Sequence, residues 1–216
     1  MADETQTHGY FDIGIDGEKL ANHMVLDEVF YLKDLKQRKI VISEDIDDEA
    51  VPVQDAIHNI LQFNADDRAL PPEARKPILL YLTSNGGSVD VGMQLIDIIL
   101  NSKTPVYTIN TGRQYSMGFL IGLAGYKRFA TKNAKFLMHD GTTFVVDSTS
   151  KAKDQMEFQI KIDERIKEYV LSRSKLTAEE YDKKYTKEWY MFADEAKENG
   201  FIDFIVGVDC DIDAIV

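Results

Sequence analysis

Apolar residues recur along this chain with two different periods, and the alternation between them outlines the fold. Continuous apolar runs of five to seven residues at 39–43, 77–83 and 105–110 have the form of strands covered on both faces. Between them, Val53, Ile57, Ile60 and Leu61 recur at helical spacing and predict a helix over 48–64. Glu44, Asp45, Asp47, Asp48 and Glu49 ahead of it suit the positive end of a helix. Val91, Leu95, Ile98 and Ile99 predict a second helix over 88–100, and Leu70-Pro71-Pro72 marks 66–76 as a loop. After a turn at 111–115, the almost wholly apolar residues 116–124 predict a short central helix. Short strands follow at 127–130 and 135–138, and 141–146 reads as extended. Residues 151–173 predict a long amphipathic helix with Met156, Ile160, Ile166 and Val170 in one stripe, widened by Phe158, Ile162 and Tyr169. Thr177-Ala178-Glu179-Glu180 is a capping-box pattern opening another helix. A short helix over 193–199, closed by Gly200, precedes a last strand at 201–206. Residues 1–35 show no clean period and read as an N-terminal arm or loop with a short strand. Strands alternating with helices give an α/β fold, with one domain over 36–216.

Charge adds an asymmetry to that outline. The 216 residues, 44% of them apolar, suffice for a single buried core. The net charge is −12, and residues 1–67 carry 16 acids against 5 bases, while 68–216 carry 21 against 20. Nearly all the excess sits in the first third. A pI near 4.8 excludes a surface for nucleic acid, which needs clustered Lys and Arg. The one cysteine, Cys210, allows neither an intrachain disulfide nor a thiolate zinc site. The longest uncharged apolar stretch, around 119–126, falls far short of the ~20 residues that span a bilayer. The acidic N-terminus lacks an apolar leader, so a cytoplasmic protein without a membrane partner is expected.

Three places carry candidate chemistry. Gly86-Gly87 joins a buried strand to a helix, where backbone N–H groups can approach an anion or oxyanion closely. A plain tight turn explains the pair equally well; G-x-G-x-x-G and Walker A patterns are absent, and no cofactor is expected. Ser116, in Gln114-Tyr115-Ser116-Met117-Gly118, opens the apolar helix either as an N-cap or as a nucleophile. The G-x-S-x-G elbow is not matched, because position 114 is Gln. Of the four histidines, His139 alone ends a buried strand, where a general base or a structural histidine can sit. No histidine has metal-spaced partners, so no metal is expected.

In order, these features form a recognisable succession. Ser84-Asn85-Gly86-Gly87-Ser88-Val89, then Ser116-Met117-Gly118, then Met138-His139, then the Ala193 to Asp203 segment with Glu195, Ala196, Gly200 and Ile202, together resemble the proteolytic subunit of the Clp protease, ClpP. Ile46-Asp47-Asp48 looks like a further family segment. The likeness covers residues 38–206. It implies the ClpP/crotonase-like spiral of ββα units, with the 151–173 helix as a protruding handle. It also implies a serine endopeptidase with Ser116 as nucleophile, His139 as general base, and the Gly87 and Met117 N–H groups as oxyanion hole. Gly86, Gly141, Thr142 and Thr143 match the backbone that pairs with substrate. The third member of the family's triad is an aspartate; the aligned residue is Glu188, with Asp182 and Asp140 as alternatives. Asn85 replaces the family's proline, Tyr115 a small residue, and Asp140-Gly141 the usual Gln-Pro, which marks a divergent member. The expected partners are peptides or unfolded proteins, further copies in heptameric rings paired as a tetradecamer, and an AAA+ unfoldase. In such rings the acidic arm lies near the axial mouth and would disfavour acidic substrates. Two other classes share these features: a structural subunit that holds peptide without cutting, and a crotonase-type acyl-CoA enzyme. Ser-Met-Gly and Met-His argue against the second.

Overall fold

The computed structural model describes residues 26–216 apart from 48, 50 and 144. The part of the acidic arm with Asp12, Asp16 and Glu18 lies outside the described residues. Among the described residues there are eight strands and seven α-helices; the strands are β1 (Lys39–Ile42), β2 (Ile78–Leu82), β3 (Val106–Asn110), β4 (Arg113–Tyr115), β5 (Lys127–Thr131), β6 (Lys135–Met138), β7 (Trp189–Phe192) and β8 (Phe204–Val206). The helices are α1 (Leu26–Lys36), α2 (Val51–Asp66), α3 (Val89–Asn101), α4 (Met117–Leu123), α5 (Thr149–Ser172), α6 (Ala178–Tyr185) and α7 (Ala193–Glu198). Strands β1-β2-β3-β5-β8 form a parallel sheet in that order, and β4-β6-β7 form a second, smaller sheet.

Strands β2 and β3 behave as their composition demands, whereas β1, at the edge of the sheet, is not covered on both faces: Ile40 and Ile42 are buried and Val41 is 51% exposed. In β2, Ile78, Leu80 and Leu82 enter the core under α2, α3 and α4, while Leu79 packs on the other face with Ile109, Phe129 and Ile215. Helix α4 is buried all round: Met117 and Ile121 belong to the cluster on one side, Phe119 and Leu123 to that on the other. A helix sunk this deeply is held in place by everything around it, which suits it to carry a residue at its first turn.

Five local expectations change. Residues 26–36 form α1 rather than an irregular arm; of its described side chains only Leu35 is buried, and Phe30 and Tyr31 stay exposed, so no apolar stripe announced it. Residues 113–115 are strand β4, not a turn, and pair with β6 in parallel register. Strand β7 was not foreseen, and the last strand is confined to Phe204–Val206. Residues 141–143 belong to no sheet, and position 144 of the expected extended segment is outside the described residues.

The segment after α2 is fastened by Asp67, only 4% exposed, which accepts two hydrogen bonds from the Arg38 guanidinium at 3.2 and 2.6 Å and one from the Thr104 hydroxyl at 2.8 Å. Asp67→Ala is expected to cost about 3–5 kcal/mol, because it strands a largely buried guanidinium. Urea denaturation checks this. A loss below about 1 kcal/mol, typical of exposed pairs, would contradict it.

Candidate active site

Ser116 stands between the end of β4 and the start of α4, with φ +53° and ψ −121°. A side chain at positive φ is strained by roughly 1–3 kcal/mol, and such strain persists only where the surroundings enforce it. Here they do. The Ser116 N–H donates to Leu137 O on β6, and the Ser116 carbonyl accepts from Phe119 and Leu120 on α4. Although Ser116 occupies the N-cap position, its hydroxyl makes no capping hydrogen bond. The capping alternative therefore does not describe it. A strained strand-to-helix corner presenting a hydroxyl that caps nothing is the geometry of a nucleophile elbow, reached without its sequence pattern.

The glycine loop lies directly against this corner. Gly86 has φ +101°, and a Cβ on it would stand 2.7 Å from Ser116 Cβ, 2.7 Å from Tyr115 O and 2.9 Å from Met117 N. Gly87 has φ +139°, and its Cβ would fall 2.0 Å from Ile46 O. Ile46 bridges this loop by donating to Gly86 O and accepting from Ser88 N–H, so the N–H of Gly87 itself is directed away from Ile46. Met117 is the first residue of α4, where N–H groups have no acceptor within the helix. Two backbone donors thus stand on the residue after the serine and on the residue after the glycine that packs against it. Asn85 braces the loop from outside: its N–H and amide both donate to Asp45 Oδ1, at 3.1 and 3.0 Å, and its Oδ1 accepts from Arg113 Nε at 2.7 Å. These bonds hold the turn where a proline ring is replaced.

His139 follows β6, and strand register decides what it meets. In the antiparallel β6–β7 ladder Met138 stands opposite Trp189, so one step further His139 stands opposite Glu188. Glu188 Oε1 lies 3.3 Å from His139 Nδ1. The longer acid reaches the imidazole after all. Its second oxygen, Oε2, accepts a 2.7 Å hydrogen bond from the Tyr190 hydroxyl. That bond, first, and the neighbouring histidine hold the Glu188 carboxyl below the usual range, while the same carboxylate pushes Tyr190 up. Of the alternatives, Asp182 is engaged by Lys167 at 2.5 Å; for Asp140 the bond to Tyr185 O is made by the backbone N–H and does not involve its carboxylate.

Ser116 and His139 line one cavity of about 40 Å³, shared with Met138, Gly141, Tyr181 and Tyr185. It is large enough for a water or a very small side chain. Gly141 is exposed with open space around it, and Thr142 and Thr143 are exposed beside it. Among the described residues, no group of three or more His, Cys, Asp or Glu is placed to hold a metal, and no helix is long and apolar enough to cross a membrane. Sequence reasoning missed Tyr190 and the Asp45–Asn85–Arg113 chain. The first was legible in Trp189-Tyr190-Met191-Phe192, whose buried Met191 between two exposed aromatics is strand alternation.

With this geometry in view, a family model described as Clp protease matches residues 26–209. The chain belongs to the Clp protease family. Membership supports a ClpP-like peptidase and, in general terms, oligomeric assembly.

Proposed function

We propose that this Clp protease family member is a serine endopeptidase cutting peptides or unfolded proteins. Ser116 Oγ attacks the scissile carbonyl, and His139 takes its proton and returns it to the leaving amine. Glu188 orients the imidazole through Nδ1 and balances the charge it gains. The Gly87 and Met117 N–H groups receive the oxyanion. Water then hydrolyses the acyl-enzyme by the same route. Gly86, Gly141, Thr142 and Thr143 offer backbone to an extended substrate. The observation that carries this reading is Ser116 itself: a serine held at positive φ, its hydroxyl making no capping bond, in one cavity with a histidine that is paired to a carboxylate.

Assembly into a chamber is supported by helix α5, where Met156, Phe158 and Ile160 are 46%, 62% and 55% exposed. Met156 and Ile160 lie one turn apart on one face and Phe158 on the opposite side of the helix; exposed apolar side chains grouped in this way are unusual on a free surface. Paired heptameric rings would cover them, and an unfoldase would then deliver the chain to be cut. The purified protein should hydrolyse fluorogenic peptides without ATP, and native mass spectrometry should give a multiple of seven subunits. A monomer with no hydrolysis would defeat both parts. A ring without hydrolysis would favour the structural-subunit reading, for which the 58% exposure of the Glu188 side chain speaks.

A further inference from the structure

Glu188 is both longer than the family's aspartate and more than half exposed, so pairing with His139 alone leaves its carboxylate free to swing. Two side chains on the strands that flank β6 restrict it, one directly and one through the other. Tyr190 lies two residues on along β7, on the same face as Glu188, and its hydroxyl donates to Oε2 at 2.7 Å while Oε1 faces His139. The carboxylate is therefore gripped at both oxygens. Tyr190 is itself placed by Tyr115: both stand beside Leu137 of the central strand β6, Tyr115 on β4 and Tyr190 on β7. Their rings meet edge to face, with centroids 5.7 Å apart and planes at 87°. Tyr115 immediately precedes Ser116, so one aromatic contact links the nucleophile's corner to the acid's support.

We propose that Tyr190, seated by Tyr115, is a positioning residue that fixes the Glu188 carboxylate on His139. The proposal rests on the serine-peptidase reading above. It also relates two departures from the family pattern, Glu188 and Tyr115, through one contact chain. An acid with an added methylene has one more torsion to hold, and a hydroxyl on its outer oxygen removes that freedom.

The test is steady-state hydrolysis of a fluorogenic peptide by the full-length protein and its Tyr190→Phe, Glu188→Gln and doubly substituted forms. Tyr190→Phe keeps the ring and its contact with Tyr115, so folding and melting temperature should not change. Its kcat should fall about 3- to 10-fold, as for loss of one ordinary solvent-exposed hydrogen bond, with KM unchanged. In the Glu188→Gln background the same exchange should do nothing further, because the group it positions is gone. Tyr115→Leu should lower kcat in the Glu188 background only. Equal loss in both backgrounds, a change in KM alone, or full kcat in Tyr190→Phe would overturn the proposal. Labelling of Ser116 by a fluorophosphonate separates this from failure of the underlying reading. If the parent protein is labelled and cuts peptide while Tyr190→Phe is undiminished, only the positioning role falls; if the parent is never labelled, the triad itself falls and the proposal with it.

Discussion

Ser116→Ala is expected to lower peptide hydrolysis by about a thousandfold or more while leaving the fold and assembly intact. Removal of the nucleophile from a serine triad ordinarily leaves only the rate supplied by the oxyanion donors and binding. The corner that holds Ser116 makes a second exchange informative. Alanine at φ +53° carries the same backbone strain as serine, so Ser116→Ala should melt near the parent protein. Glycine adopts that conformation freely, so Ser116→Gly should be as inactive yet more stable, by about 1 kcal/mol. A gain in stability on losing the side chain proposed to perform the chemistry would be the signature of strain retained for function. If Ser116→Gly melted lower, or if Ser116→Ala kept its activity, the corner would have to be read as ordinary structure.

Gly87→Ala is expected to be the most damaging glycine-to-alanine exchange among the described residues. Its Cβ would fall 2.0 Å from Ile46 O, a backbone atom that cannot swing aside as a side chain would. The bridge between Ile46 and the glycine loop must open, and with it the placement of the Gly87 N–H. The left-handed φ adds its own cost. Together these should destabilise the protein by about 3 kcal/mol or more. Hydrolysis should drop at least about a hundredfold in whatever folds, the usual loss for one oxyanion donor. Gly86→Ala should behave similarly, since its Cβ would meet Tyr115 O at 2.7 Å. By contrast Gly141→Ala, with nothing within 4 Å, should be stable. Circular dichroism melts and peptide turnover for the three variants check the ranking. Full activity in Gly87→Ala would remove the glycine loop from the mechanism.

What the sequence disclosed and what it withheld follow from how each feature is encoded. Strands β1, β2 and β3 were visible because they are apolar on both faces, and α4 because an all-apolar helix has nowhere to go but inside. Helix α1 was not, since its described residues bury Leu35 and leave Phe30 and Tyr31 in solvent. Strand β4 was invisible because three residues, one of them a buried Gln, carry no period; its identity comes from pairing with β6. The site divides the same way. Ser116, His139 and the two glycines stood out by motif, but their relation is a matter of tertiary geometry. Strand β7 sets His139 opposite Glu188 by a register that no local pattern specifies. Asn85 looked like a weakened turn when read against the family's proline. Its bonds to Asp45 and Arg113, 40 and 28 residues away, are what replace the ring.

The central claim is that His139, held by Glu188, activates Ser116 as a nucleophile. Treating the intact protein with a fluorophosphonate probe and locating the adduct by peptide mass mapping tests this most directly. The account predicts one adduct per chain, on Ser116, absent in His139→Ala and slower to form in Glu188→Gln. An adduct on any other residue, or equal labelling of Ser116 with and without His139, would contradict it.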